Sequence, residues 1–383
     1  MSVTAARGFR ASGVAAGLKS SGLLDVALVV NDGPRTAGAG VFTANRVKAA
    51  PVLWTQQVVA DGRVDAVVLN SGGANACTGP AGFQDTHATA EWAAMALKAA
   101  AGDVAVCSTG LIGERLPVDR LLAGVDDAVE HLSSSGADDA ARAIMTTDSV
   151  PKQAVASGGG FTVGGMTKGA GMLAPGLATM LGVLTTDADV EAGVLDRVLR
   201  TATAATFDRV DSDGCMSTND TVLLLASGAS GTAPTETELA VVVEAVCADL
   251  ARQLVEDAEG SSKTVSVTVR RARTQADALT VARAVARSNL LKCALSGEDP
   301  NWGRVLAAVG TTDAAFEPGR LAVALGGVWV CRDGMAGEDR ALVDLSGREV
   351  AITVDLGAGE DEATVWTNDL TAAYVHENSA YST

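Results

Sequence analysis

"GGMTKGAGMLAPGLATMLGVLTTD", residues 164–187, poses the question on which the rest of the chain turns. Its glycines, single lysine and methionine-rich run surround Thr179, set between Ala178 and Met180, and they admit three readings: a phosphate cradle, a packed hinge or a nucleophile. "GAGMLA", residues 169–174, fits the G-x-G-x-x-[GA] dinucleotide pattern, with Asp187 following at a tolerable distance. That fingerprint must open a helix directly after a strand, and Pro175 and Gly176 interrupt the run it needs. Taken singly, a threonine in an apolar stretch is core or helix. The surroundings of Thr179 have to decide.

Outward from this stretch the chain alternates short strands with helices. "FTVGG", just upstream, predicts a strand. Residues 25–30 and 39–43 read as a hairpin around "NDGPRTAG". "VDAVVL" (64–69) reads as a buried strand ending in "NSGGANACTG", and residues 104–107 as a second strand ending in "STG". Helices are expected over 84–101, from Pro117 to about 132, over 189–205 and over 277–288. The clearest helix begins "TETELAVVVEAVCADLARQLVEDAEG". There Thr235 and Glu238 make a capping-box pattern, and Leu239, Val243, Val246, Leu250 and Leu254 share one face. "KTVSVTVR" alternates as a half-buried strand, and "GAGEDE" near the C-terminus reads as the solvated tip of a hairpin. These elements predict an α/β chain with mixed or antiparallel sheets.

Composition narrows the function classes. A net charge of −17 argues against a sequence-independent grip on nucleic acid, which needs a basic face. The six cysteines form no Cys-x-x-Cys pair, which argues against a zinc or redox motif and for a reducing compartment. With only His87, His131 and His376, a Ser-His-Asp triad or histidine-rich metal site has little to draw on. No apolar run reaches membrane-spanning length, so a cytoplasmic location is expected. "RVDSDGCMSTND" (209–220) resembles a calcium loop, but Arg209 stands where the first acidic ligand belongs. "GEDPNWGR" (297–304) gathers acid, amide, indole and guanidinium in one loop, which fits a site or a structured turn equally.

Several separated motifs, in order, resemble the ornithine acetyltransferase family of arginine biosynthesis. They are "RGFRASGVAAGLK", "NSGGANACTG", "STGLIG", "MTTDSVPK", "KGAGMLAPGLATML", "DAEGSSK", "GEDPNWGR" and the terminal "YVHENSAYST". The resemblance implies self-cleavage between Ala178 and Thr179 into an alpha fragment, 1–178, and a beta fragment, 179–383. Cleavage would free the Thr179 α-amine, whose unperturbed pKa of about 7.7–8.0 lets it serve as base for its own hydroxyl without a histidine. Thr179 would then carry an acetyl group from N2-acetyl-L-ornithine to L-glutamate, releasing ornithine. By the same resemblance Thr109 and Gly110 match the oxyanion pair, and Thr146, Lys168, Glu259, Asn378 and Thr383 match substrate-binding positions.

The resemblance further implies an αββα sandwich with a central nucleophile strand, a smaller C-terminal α/β portion from about residue 265, and a heterotetramer of two fragments of each kind. No metal or cofactor is expected; acetyl-CoA is left open as a second acetyl donor. Two other functions stay in view. One is an amidase or aminopeptidase of the same fold, with water as acceptor; the other is a dinucleotide-binding oxidoreductase resting on "GAGMLA" alone.

Overall fold

The computed structural model describes residues 2–174 and 180–380. It divides into two compact units, Met1–Asp208 with Cys215–Leu254, and Arg209–Gly214 with Val255–Ser382.

The first unit is built on two sheets. One has strand order β1-β2-β4-β5, from β1 (Phe9–Val14), β2 (Val26–Asn31), β4 (Ala66–Ser71) and β5 (Val104–Thr109). The other has order β3-β9-β8-β7-β6, from β3 (Ala37–Phe42), β6 (Lys152–Gly158), β7 (Phe161–Lys168), β8 (Leu181–Thr186) and β9 (Thr221–Ala226). Among the described residues six helices accompany them: α1 (Ala50–Val58), α2 (Gly79–Leu97), α3 (Val118–Glu130), α4 (Ala137–Ala143), α5 (Ala192–Ala205) and α6 (Glu236–Glu256).

Strand alternation sorts the apolar side chains into layers. Ala27, Val29, Val67, Leu69, Ala105 and Cys107 of the first sheet share one core with Met166, Leu181, Val183, Leu223 and Leu225 of the second. Their strand neighbours Val26, Leu28, Val68, Val104 and Val106 point the other way, onto Ala90, Ala93 and Ala94 of α2 and Leu121, Val125 and Ala128 of α3. Helices α5 and α6 pack on the far side of the second sheet; α5 lies against β3 and β9, and Val246 and Leu250 of α6 crowd Gly165 of β7. The order is therefore helices, sheet, sheet, helices: an αββα sandwich, as expected. Strands covered on both faces read as unbroken apolar runs, which is why "VALVV" and "VDAVVL" carry so little polarity.

Two expectations about strand pairing fail. The strands flanking "NDGPRTAG" are not a hairpin: β2 pairs with β1 and β4, whereas β3 pairs with β9 in the other sheet. The turn carries the chain between layers. "GAGMLA" is followed by no helix over its described residues and sits between β7 and β8, which pair with each other antiparallel. The dinucleotide fingerprint is thereby excluded.

The α6 start is as the sequence predicts. Glu238 N–H donates to Thr235 Oγ1 (3.3 Å) and Thr235 N–H donates to Glu238 Oε2 (2.8 Å), while all five residues of the predicted face are buried.

The second unit has one sheet of order β13-β12-β11-β14-β10-β15. Its strands are β10 (Thr264–Ala272), β11 (Ala322–Leu325), β12 (Val328–Arg332), β13 (Met335–Ala336), β14 (Glu349–Asp355) and β15 (Asp361–Asn368). With it go α7 (Gln275–Ala286), α8 (Asn289–Ser296), α9 (Trp302–Val309) and α10 (Ala372–Ala380). Val265, Val267 and Val269 of β10 are buried as their alternation predicts. The acidic "GAGEDE" is not a hairpin tip. β14 and β15 flank β10 on opposite sides, parallel and antiparallel, so this segment crosses over β10.

Candidate active site

β4 and β5 run parallel, with Asn70 opposite Ser108 and Ser71 opposite Thr109, so "NSGGANA" and "STG" leave the sheet side by side. Both Gly72 N–H and Gly73 N–H donate to Thr109 O at 3.0 Å, and Ala74 N–H donates to Leu111 O at 2.9 Å. Gly110 holds φ +128°, and a Cβ there would lie 2.6 Å from Gly73 N. Only glycine fits such a crossing. Among the described residues, neither the Thr109 hydroxyl nor the Gly110 N–H has a hydrogen-bond partner. Two neighbouring donors with unspent capacity, on a turn fixed from both sides, are what an oxyanion requires.

The turn is held by buried amides that sequence reasoning did not single out. Ser108 Oγ donates to Asn70 Oδ1 at 2.6 Å. Asn219 Nδ2 donates to Ala74 O (2.6 Å) and to Ser108 O (2.8 Å), tying both glycine loops to the segment that enters β9. Asn219 lies in the stretch read against a calcium loop. Two other residues of that stretch point elsewhere: Asp211, in the second unit, accepts from Arg287 Nε at 2.7 Å, and Asp220 is fully buried.

Asp220 meets the chain where the opening question left it. Its Oδ1 accepts from Met180 N–H at 3.1 Å, and Met180 O accepts from Thr221 N–H at 3.1 Å. Among the described residues its buried Oδ2 has no hydrogen-bond partner within normal distance. Burial pushes this carboxyl well above the usual range, against the opposing pull of the Met180 N–H, the Ser217 hydroxyl and Lys168. Ala178 and Thr179 themselves lie outside the described residues.

On the facing sheet, Lys168 ends β7 opposite Leu181 of β8. Lys168 has the same strand parity as Met166, and Thr109 the same as Cys107, so both belong to the positions that face the space between the sheets. Lys168 is buried, and its Nζ donates to Thr146 Oγ1 at 3.0 Å, so the structure brings these two predicted residues together.

Asp148 organises that pair. Its Oδ2 accepts from Thr146 N–H (2.9 Å), and its Oδ1 accepts from Gly169 N–H (2.7 Å) and from buried Lys152 Nζ (2.6 Å). Burial alone would raise the Asp148 carboxyl, but Lys152, Lys168 and the Gly169 N–H together hold it below the ordinary carboxylate range. "MTTDSVPK" is thus a charge-balanced clasp on the end of β7.

In the second unit, Asn378 Nδ2 donates to Glu259 Oε2 at 2.9 Å. The approach depends on Gly260, at φ +59°, where a Cβ would lie 2.2 Å from Tyr374 N at the start of α10. Thr383 lies outside the described residues. "GEDPNWGR" resolves as a structured turn: Glu298 Oε1 accepts from Lys263 Nζ (2.8 Å), Asn301 Nδ2 donates to Asp299 Oδ2 (2.9 Å), and Trp302 opens α9 against the core of this unit. Among the described residues, no group of three or more potential ligand side chains could hold a metal ion. None of the described helices is long and apolar enough to cross a membrane.

The ArgJ family model matches residues 10–383. The chain is 67% identical to the arginine biosynthesis bifunctional protein ArgJ of Streptomyces coelicolor, over 100% of both chains. Against its counterpart in Mycobacterium tuberculosis it is 60% identical, over 99% of this chain and 96% of that protein. A solved ornithine acetyltransferase of M. tuberculosis, described as complexed with ornithine, is 62% identical over 47% of this chain and 96% of its own, with a TM-score of 0.44. With Thr109, Gly110, Thr146 and Lys168 set in one αββα unit, and with that full-length similarity, the chain belongs to the ArgJ family, the bifunctional acetyltransferases of arginine biosynthesis.

Proposed function

We propose that the protein cuts itself between Ala178 and Thr179 and then moves acetyl groups from N2-acetyl-L-ornithine to L-glutamate through an acetylated Thr179. The observation that carries this reading is a pair of donors with no partner among the described residues, the Thr109 hydroxyl and the Gly110 N–H, on a turn that only glycine permits. They suit the oxyanion of a tetrahedral intermediate at the acyl carbon, and losing one such donor costs about 3–4 kcal/mol in related chemistry. The freed α-amine of Thr179 takes the hydroxyl proton, the acetyl carbonyl is attacked, and ornithine leaves. Glutamate then takes the acetyl group in the reverse sense, which is double displacement.

Thr146 and Lys168 match substrate-binding positions of the family, as do Glu259, Asn378 and Thr383, and the amino acid recognised is cationic at its far end in one half-reaction and anionic in the other. Acetyl-CoA is a second acetyl donor to glutamate in this reading. Fragments 1–178 and 179–383 assemble as two copies of each, in the cytoplasm, with no cofactor.

The test is a denaturing gel, N-terminal sequencing and an assay with labelled acetylornithine. Two fragments, threonine as the new N-terminus and glutamate-dependent label transfer are expected, with Thr179→Ala remaining a single inactive chain. Acetyl release to water without transfer would instead make the protein an amidase. N-acetylglutamate formed from acetyl-CoA alone tests the second donor.

A further inference from the structure

The acidic stretch "GAGEDE", residues 357–362, plays no part in the reading above. Where it crosses over β10 it borders a cavity of about 450 Å3 in the second unit, a size ordinary for small-molecule sites. Four arginines line that cavity: Arg270 and Arg271 near the end of β10, Arg320, and Arg332 of β12. Neighbours in a regular strand, such as Arg270 and Arg271, point to opposite faces. Here a bulge shifts the register between Val269 and Ala272, and Arg271 takes φ +51°, a left-handed conformation disfavoured for a residue with a side chain. Both guanidiniums thereby reach one buried carboxylate. Arg270 Nε donates to Asp355 Oδ2 (2.9 Å) and Arg271 Nε donates to Asp355 Oδ1 (2.7 Å).

Asp355 fixes these two arginines through Nε and leaves their outer nitrogens unspent. Among the described residues, the Nη groups of Arg270 and Arg271 and the whole Arg320 guanidinium have no hydrogen-bond partner. Arg271 and Arg320 approach each other at Gly357, where a Cβ would lie 3.8 Å from Arg271 Nη2 and 3.4 Å from Arg320 Cβ. Half-buried Trp329 stiffens the wall, with the guanidinium carbons of Arg270 and Arg332 lying 4.7 and 5.0 Å from its ring centroid. Three exposed acids, Asp333, Glu360 and Glu362, also line the cavity, and among the described residues none has an ion-pair partner. With Asp355 they balance the four arginines, so the lining carries no net charge. A polyanion entering here meets three carboxylates, and a bare amine meets the guanidiniums; a molecule carrying both signs satisfies both sets.

We propose that this cavity binds a free α-amino acid by its head group, the carboxylate on Arg271 and Arg320 and the ammonium on Glu360 and Glu362. A guanidinium presents paired N–H donors that match a carboxylate, and such charge-assisted bonds are stronger than neutral ones. Among the described lining residues there is no hydroxyl, thiol or amine to act as a nucleophile, so the amino acid is held and not transformed. The assignment stands whether or not Thr179 is the nucleophile of acetyl transfer.

The test uses the full chain labelled with 5-fluorotryptophan, the fluorine resonance of Trp329 being assigned from Trp329→Phe. Titration with L-norvaline, L-ornithine and L-glutamate should shift that resonance saturably for at least one of the three. Pentanoate and butylamine, each lacking half of the head group, should bind at least about 10-fold more weakly, as should inorganic phosphate. Arg320→Gln and Glu362→Gln change exposed residues, and each should weaken the amino acid by a similar factor while the remaining tryptophan resonances stay in place. Three results overturn the proposal: no saturable shift with any of the amino acids, a half-molecule or phosphate bound as tightly, or unchanged affinity in either variant. The last would mean that an amino acid bound elsewhere, the acetyl-transfer site included, moves the signal.

Discussion

Asn219 reaches two carbonyls with one amide group, and both belong to the loops that carry Thr109 and Gly110. Asn219→Ala deletes two buried hydrogen bonds and leaves Ala74 O and Ser108 O unsatisfied, a loss of about 1–3 kcal/mol for each group left bare. In the proposed reading the expected result is a lower melting temperature and a kcat reduced by about 10-fold with KM nearly unchanged, because the proposed oxyanion donors would lose aim while substrate binding is kept. Steady-state kinetics beside a melting curve check this. Equal kcat in a destabilised protein would place Asn219 in stability alone.

The turn that carries Thr109 and Gly110 was legible because "STG" ends a recognisable strand. Asn219, Asp148 and Asp220 were not. Each is a short polar residue in a loop, and its task is set by a backbone group up to 145 positions away that no local pattern records.

At the level of strands and helices, period and caps were readable and partners were not. The alternation in "KTVSVTVR" and the capping box at Thr235 follow from local chemistry. "NDGPRTAG" and "GAGEDE" have hairpin composition, yet the strands around them pair elsewhere, since neither sheet edge nor register is written into a turn.

Helix α8 supplies a testable case. Lys292 is buried there, with Nζ donating to Ser212 O (2.6 Å), Thr367 Oγ1 (3.0 Å) and Asn368 O (2.5 Å), so one side chain fastens three segments of the second unit. Burial pushes this amine down to about 8, against the pull of Asp213, Asp211 and Asp369. The unfolded chain has its lysine near about 10.4 and so binds more protons than the folded chain between those values. Stability from this group therefore rises with pH through that window. Urea titrations of wild type and Lys292→Met at about pH 7.5 and about pH 10 should show the wild type gaining relative to the variant by up to about 3 kcal/mol, an order-of-magnitude figure from the size of the shift. A constant difference across the window would mean that the lysine titrates near its ordinary value.

At the level of the whole chain, the proposed cut falls between β7 and β8, adjacent antiparallel strands. In the five-stranded sheet β3, β6 and β7 precede the cut, while β8 and β9 follow it, and β3 pairs with β9 at the edge. Each fragment therefore contributes strands on which the other depends. The two should co-elute in native size-exclusion chromatography and separate only in denaturant. Residues 179–383 expressed alone should fail to give the soluble, cooperative unfolding of the matched pair, because β8 and β9 would lack the strands on either side of them. Recovery of a folded, separately eluting fragment would contradict this interlacing.

The same interlacing bears on when a newly made copy can become active. The carboxyl beside Met180 arrives on β9, and the glycine turn arrives at the end of β5 in the other layer. Neither is in position until both layers have closed, so the proposed scission would act as the molecule's own proofreading. Misassembled copies would stay whole and inert, and the ratio of cut to uncut chain in a cell would count successful folding.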